Sequence, residues 1–191
     1  MDLILIRHGL PERSAVTADP PLSEIGRDQA QRVCDVLQAE QLDAVWSSTM
    51  VRARETAAPL AAVLSIGVQT HHGIREYDSS SGIYIPDEVL KVENYEAWRA
   101  QSAGEHGFDM TAFRDEVVAG IEEIIAAHPG QRVAVFCHGG VINVWTAHVL
   151  GLAPRLFFQP GYTSLNRYAC SRRGERGVVS LNEQPHLAER V

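Results

Sequence analysis

Lysine is nearly absent from this 191-residue sequence: Lys91 stands alone, and every other basic side chain is an arginine. Seventeen Lys and Arg against 24 Asp and Glu leave a formal charge of −7. A net-acidic chain lacks the electrostatic footprint that nucleic acid or an anionic membrane surface requires. Cysteine is scarce too, with Cys34, Cys137 and Cys170 forming an odd set at wide spacing. That excludes a disulfide framework and a C-x-x-C metal knuckle, and it fits a reducing, cytoplasmic setting. Long apolar runs are missing: the opening run Leu3–Ile6 meets charge at Arg7, far short of the ~20 residues of a membrane span and shorter than a signal-peptide core. Repeats and low-complexity tracts are also missing. With 45% hydrophobic and 21% charged residues, the chain has the composition of one folded domain over residues 1–191 with a substantial core.

What is present alternates between two patterns. Leu3–Ile6, Asp43–Ser47 and Arg132–Cys137 are short apolar runs of the kind buried on both faces of a sheet. Between them Ala30, Val33, Cys34 and Leu37 share a helical face, as do Phe113, Val117, Ile121, Ile124 and Ile125. Strand–helix alternation predicts an α/β domain, a three-layer sandwich with a mostly parallel central sheet and helices on both faces. The segment 52–64 reads as helix, with Pro59 expected to kink or split it. Thr163–Cys170 and Gly177–Leu181 flank an Arg/Gly turn and predict a C-terminal β-hairpin. The four arginines at 167, 172, 173 and 176 read as a solvated turn beside Glu175 rather than a nucleic-acid patch. Residues 78–107 are the least regular; Ser79–Gly82 reads as a flexible stretch, followed by a helix from about Pro86. This segment is the natural cap over a site.

Arg7-His8-Gly9 follows the first buried strand and His138-Gly139-Gly140 follows another. Ligands of open parallel sheets bind at the carboxyl ends of strands. Glycine lets the backbone approach such a ligand, and the free N–H groups of the next helix suit an anion. Ser47–Thr56 delivers Arg52 and Arg54 to the same edge, but positions two apart on a helix do not share a face, so only one of them can turn inward. Two histidines and an arginine pair are the wrong set for a metal and the right one for a phosphate dianion. The His71-His72 pair has no carboxylate or cysteine at ligand spacing.

These segments, together with Pro21–Gly26 leading to Gln29-Ala30, Ser47-Ser48 with Arg52-Ala53 and Thr56, Arg75-Glu76, and Leu181–Glu183 with His186-Leu187, make the sequence resemble the histidine phosphatase superfamily, which includes the cofactor-dependent phosphoglycerate mutases. The resemblance spans nearly the whole chain. It implies that His8 is the nucleophile, that Arg7, Arg52 and His138 hold the phosphoryl group with Ser14 and Gly139 beside them, and that Glu76 is the proton donor. Ser14 stands where the family often has asparagine, and Tyr77–Tyr84 replaces the family's common Gly-Trp-Glu-Gly stretch.

Elementary chemistry agrees with those roles. A neutral imidazole can attack phosphorus in line, and neighbouring Arg7 and Arg52 should lower the His8 pKa. A hydrogen bond from its Nδ1 to a backbone carbonyl would leave Nε2 free. Cys137 lacks the arginine of a C-x5-R phosphatase, and neither a G-x-S-x-G elbow nor a P-loop is present. The expectation is a metal-independent phosphomonoester hydrolase with no cofactor and a small-molecule phosphate monoester as partner, binding neither nucleic acid nor membrane. The alternatives are a phosphoglycerate-type phosphomutase and a silent phospho-ligand binding module. Contact of Tyr77, Tyr84, Tyr95 or Trp98 with substrate, and the oligomeric state, stay open.

Overall fold

The computed structural model describes residues 1–79, 82–102 and 107–188. Ser80 and Ser81 of the expected flexible stretch, and residues 103–106 of the expected cap, lie outside the described residues. Six strands form one sheet: β1 (Asp2–Arg7), β2 (Ala44–Ser48), β3 (Val68–His71), β4 (Arg132–Cys137), β5 (Leu165–Cys170) and β6 (Arg176–Glu183). Their spatial order is β3-β2-β4-β1-β5-β6. The first four are mutually parallel, while β5 and β6 add the expected antiparallel hairpin.

The period-two alternation of a strand explains the layering. In β1, Leu3 and Leu5 face one core with Val133 and Val135 of β4, whereas Ile4 and Ile6 face the other with Ala134 and Phe136. Helices α1 (Glu24–Leu37) and α2 (Val51–Leu64) cover the second face; α5 (Met110–Ala127) and α6 (Gly139–Val149) cover the first. The expected stripes are the buried ones: Val33, Cys34 and Leu37 on α1, and Val117, Ile121 and Ile124 on α5. Each such side chain removed from water contributes roughly 1.5–3 kcal/mol. Caps fix the helix starts: Ser23 Oγ accepts from Gly26 N–H at 3.1 Å, and Asp109 Oδ1 accepts from Thr111 and Ala112 N–H. Helix α6 is apolar almost all round because it is covered on nearly every side, and Leu150, just past its end, is exposed.

Two expectations change. Helix α2 runs unbroken through Pro59; Pro59 forfeits one backbone bond, to the Glu55 carbonyl, but Ala57, Leu60 and Ala61 around it are buried and hold the helix against the sheet. Strand β3 carried no sequence signal, since its Gln69 and Thr70 are exposed at the sheet edge.

Two short helices, α3 (Asp87–Glu93) and α4 (Tyr95–Ser102), follow Pro86 as expected. They are tied to the loop after β1 by a two-pronged Arg13–Glu93 ion pair, 2.7 Å at each oxygen, and by a backbone bridge between Ser14 and Tyr84. The hairpin arginines work within the fold: Arg167 pairs with Glu40 and Glu183, and Arg176 with Glu122. Among the described residues, no helix is long and apolar enough to cross a membrane.

Candidate active site

The register of the two central strands builds the site. Arg7 of β1 lies opposite Cys137 of β4, so the next residue on each chain, His8 and His138, leaves the sheet side by side, with His8 N–H donating to Cys137 O at 3.0 Å. Their rings sit 5.1 Å apart, centre to centre. Both are buried.

The loop carrying His8 is held from several directions. Gly9 N–H donates to Thr56 Oγ1 at 3.0 Å, Leu10 N–H to Gln29 Oε1 at 2.8 Å, and Ser23 Oγ–H to Leu10 O at 2.9 Å. Gly9 packs so closely on the first turn of α1 that a Cβ there would fall 2.6 Å from Gly26 O. Within this frame His8 Nδ1 contacts Gly9 O at 2.8 Å. A carbonyl only accepts, so Nδ1 carries the proton and Nε2 keeps its lone pair. Burial, then Arg52 and Arg7, hold the His8 pKa well below the usual imidazole value.

Arg52 is the inward-facing member of its pair; Arg54 is exposed. The Arg52 guanidinium donates from Nε to His8 Nε2 at 3.2 Å and from Nη1 to Ala18 O at 2.9 Å. Its Nη2 has no hydrogen-bond partner and lies 3.9 Å from Asp78. Arg7 donates to Pro160 O at 2.7 Å and stacks over the Tyr162 ring at 4.0 Å. His138 Nε2 is 2.9 Å from Ser48 Oγ, whose oxygen accepts from Met50 N–H, and its Nδ1 makes no hydrogen bond. Burial, then Arg52, keep His138 neutral as well.

Glu76 does not pair with Arg75, which turns to His72 and Ser79. Its carboxylate instead accepts from Gly140 N–H at 3.0 Å and Tyr77 N–H at 3.1 Å. A Cβ on Gly140 would fall 2.2 Å from Glu76 Oε1, so only glycine admits the carboxylate to the opening turn of α6. Burial, reinforced by the negative charge of Asp78, pushes its pKa up to about 7.

Arg7, His8, Arg52, Glu76 and Gly139 line one cavity of about 500 Å³. His138 is not among the lining residues, although its ring lies 5.1 Å from that of His8. Ser14 is not on the wall either: its hydroxyl accepts from Val16 and Thr17 N–H in a turn of its own loop. Of the four open aromatic residues, Tyr77, Tyr84 and Trp98 line the cavity and Tyr95 does not. A second wall, Leu156 to Pro160, was not foreseen. It is fixed by the buried Asn143, which donates to Gly139 O and Phe158 O and accepts from Phe157 and Phe158 N–H. Asparagine on an otherwise apolar helix was the one available signal. Among the described residues no group of three or more His, Cys, Asp or Glu is arranged to hold a metal ion. Burial raises the Cys137 thiol far above its usual value, which keeps it protonated.

Comparison with known proteins agrees with this geometry. The chain is 27% identical over 201 positions to phosphoserine phosphatase 1 of Hydrogenobacter thermophilus, spanning 98% of this chain and 94% of that one. Its fold matches Bacillus stearothermophilus YhfR with a TM-score of 0.81 at 22% identity, covering 98% and 99% of the two chains. It also matches an Entamoeba histolytica phosphoserine phosphatase in complex with 3-phosphoglyceric acid, with a TM-score of 0.79 at 22% identity over 98% and 99%. The description of the histidine phosphatase superfamily, branch 1, covers residues 3–184. With paired strand-end histidines and a match running nearly end to end, the chain belongs to the histidine phosphatase superfamily, branch 1.

Proposed function

We propose that the protein is a phosphomonoester hydrolase that works through a phosphohistidine on His8. The observation that carries this reading is the His8 tautomer: with Nδ1 committed to Gly9 O, the lone pair of Nε2 is left on the Arg52 side of the ring, in a cavity that also holds Glu76. Arg7 and Arg52 take the phosphoryl oxygens, and His138 adds a neutral donor once Ser48 gives its hydrogen to Nε2 and leaves Nδ1 protonated. His8 Nε2 forms the bond to phosphorus as the ester P–O bond breaks. The charge spread over the phosphoryl oxygens meets the guanidinium groups, which need no reorganisation. A leaving alkoxide takes the Glu76 proton, which a pKa near 7 makes available at neutral pH. In the second half, water attacks phosphorus, Glu76 accepts its proton, and the P–N bond breaks to release phosphate and neutral His8. A small segment within 78–107, including α3 and α4, serves as the cap. The residues present supply the positive charge themselves, and no step calls on a metal.

The test is to react the protein briefly with a phosphate monoester in chelator, quench in base, where a phosphoramidate survives, and map the phosphate by peptide mass spectrometry. Phosphate on His8, and its loss in His8→Ala, is expected. Label on Cys137 or a serine, full activity in His8→Ala, or activity that chelation abolishes and Zn²⁺ restores would overturn the reading. Return of the phosphoryl group to the product alcohol in place of water would mark a mutase.

A further inference from the structure

The phosphate end of the cavity carries all of its positive charge. Arg7 and Arg52 are the only arginines or lysines among the described residues that line it; Arg7 adjoins His8 in the chain and Arg52 Nε lies 3.2 Å from His8 Nε2. The charged side chains that remain on the wall, Glu76 and Asp78, are acidic. Beyond them the wall is mostly apolar, with Gln159 its exposed amide. Ile85, Leu90 and Trp98 close one side, and Leu156, Phe157 and Phe158 the other. Of the two amides on the wall, Asn143 has its donor and acceptor atoms committed to backbone groups of Gly139, Phe157 and Phe158, and the exposed Gln159 offers a neutral donor that brings no positive charge. Lys91 and Arg155 lie over the Trp98 and Phe157 rings, at 4.7 and 6.0 Å, and do not line the cavity.

An ester that carries a second anionic group next to its phosphate would bring that group into an apolar wall beside two carboxyl groups. Desolvating a carboxylate without a partner is strongly unfavourable. An uncharged hydrocarbon or ring in the same place gains about 25 cal/mol for each Å² it hides from water. The cavity, at about 500 Å³, has the size of an ordinary small-molecule site, usually about 300–1,000 Å³. It therefore has room for a ring behind the phosphate.

We propose that the alcohol half of the substrate is an uncharged apolar or aromatic group seated between Trp98 and the Phe157–Phe158 wall, and that carboxylate-bearing esters such as phosphoglycerates are poor ligands. This rests on the phosphatase reading for turnover, but it concerns which ligands the cavity takes and can be read by binding alone.

The experiment compares 2-phenylethyl phosphate with 3-phosphoglycerate. Both leave as alkoxides, so both need the proton and differ in the body of the alcohol. kcat/KM is expected to favour the phenylethyl ester at least 100-fold. In parallel, calorimetry compares 2-phenylethylphosphonate with 3-phosphonopropionate, which cannot be hydrolysed; the first is expected to bind at least tenfold more tightly. Leu156→Arg, which adds a cation to the apolar wall, should raise kcat/KM for 3-phosphoglycerate at least tenfold and lower it for the phenylethyl ester. Hydrolysis with equal or inverted preference would overturn the ligand class and leave the phosphatase reading standing. Preferential binding of the phenylethylphosphonate without turnover of any ester would uphold the ligand class and overturn the phosphatase reading. Absence of both binding and turnover would overturn the two together.

Discussion

Arg52 Nε donates to His8 Nε2 at 3.2 Å, so the guanidinium that would hold the phosphoryl group already touches the ring atom that would attack it. The contact lowers the proton affinity of the nitrogen and fixes its direction. It also places a charge-assisted donor within reach of the oxygens of whatever group that nitrogen attacks.

Replacing Arg52 therefore tests transition-state binding directly. Arg52→Ala is expected to lose about 3–4 kcal/mol, a fall in kcat of roughly 10²–10³-fold, as for removal of one preorganised donor. Arg54→Ala should leave kcat nearly unchanged, because its side chain faces solvent on the outer side of α2. Steady-state kinetics of the two variants on one ester checks this, and the reverse ranking would refute it.

As the proposed proton donor, Glu76 is expected to set the alkaline limb of the pH profile. As an acid with a pKa of about 7, it must be protonated when an alkoxide leaves, so the rate on an alkyl ester should fall as pH rises through about 7. His8 must be neutral, and its lowered pKa moves the acid limb well below pH 6.5. Glu76→Gln should reduce alkyl-ester hydrolysis by roughly 10²–10⁴-fold. It should spare the burst of nitrophenol from p-nitrophenyl phosphate, whose leaving group needs no proton. Equal loss of burst and alkyl activity would make Glu76 an organiser of the pocket, and the acid would then be sought at Asp78, the other carboxyl group on the wall.

The same substitution has an opposite consequence for stability. The Glu76 pKa is raised on folding, so its contribution is fully present below the unfolded value near 4.5 and is lost as pH rises through about 7. Glutamine never ionises. Glu76→Gln sets an amide NH2 against one of the two N–H groups at every pH, so its Tm relative to the wild type should rise by several degrees between pH 4.5 and pH 8, as followed by thermal unfolding across pH. A gain that did not grow with pH would show that the carboxylate is not strained by burial.

The parts of this site that could be read from the sequence are those set by local regularity. A buried strand that ends in Arg-His-Gly or Cys-His-Gly places its histidine at the carboxyl end of the sheet whatever the rest does, and helix geometry allowed only one of Arg52 and Arg54 to turn inward, the family pattern naming Arg52. Ser14 was read from its place in the family pattern, but its hydroxyl oxygen accepts from Val16 and Thr17 N–H in its own loop and Ser14 is not among the residues that line the cavity, a local choice that pattern position does not reveal. The wall at 156–160 was illegible for a different reason. Phe157 and Phe158 sit in an irregular stretch with no period, and they reach the cavity through Asn143, more than a dozen residues away. Strand β3 is likewise defined by its partner β2 rather than by its own residues. Pro59 was given too much weight because the burial of its neighbours is a tertiary fact.

The asymmetry between the two apolar walls bears on the order of events in turnover. The 156–160 wall is bonded through Asn143 to the helix that opens at His138, so it is organised before anything binds. The opposite wall reaches the loop after β1 through a backbone bridge and the exposed Arg13–Glu93 pair, where water and salt compete for both partners. One jaw is fixed to the chemistry and the other is hung from the surface. Traffic through the mouth is then expected on the Trp98 side, and raising ionic strength should hasten departure of the alcohol without disturbing the step at phosphorus.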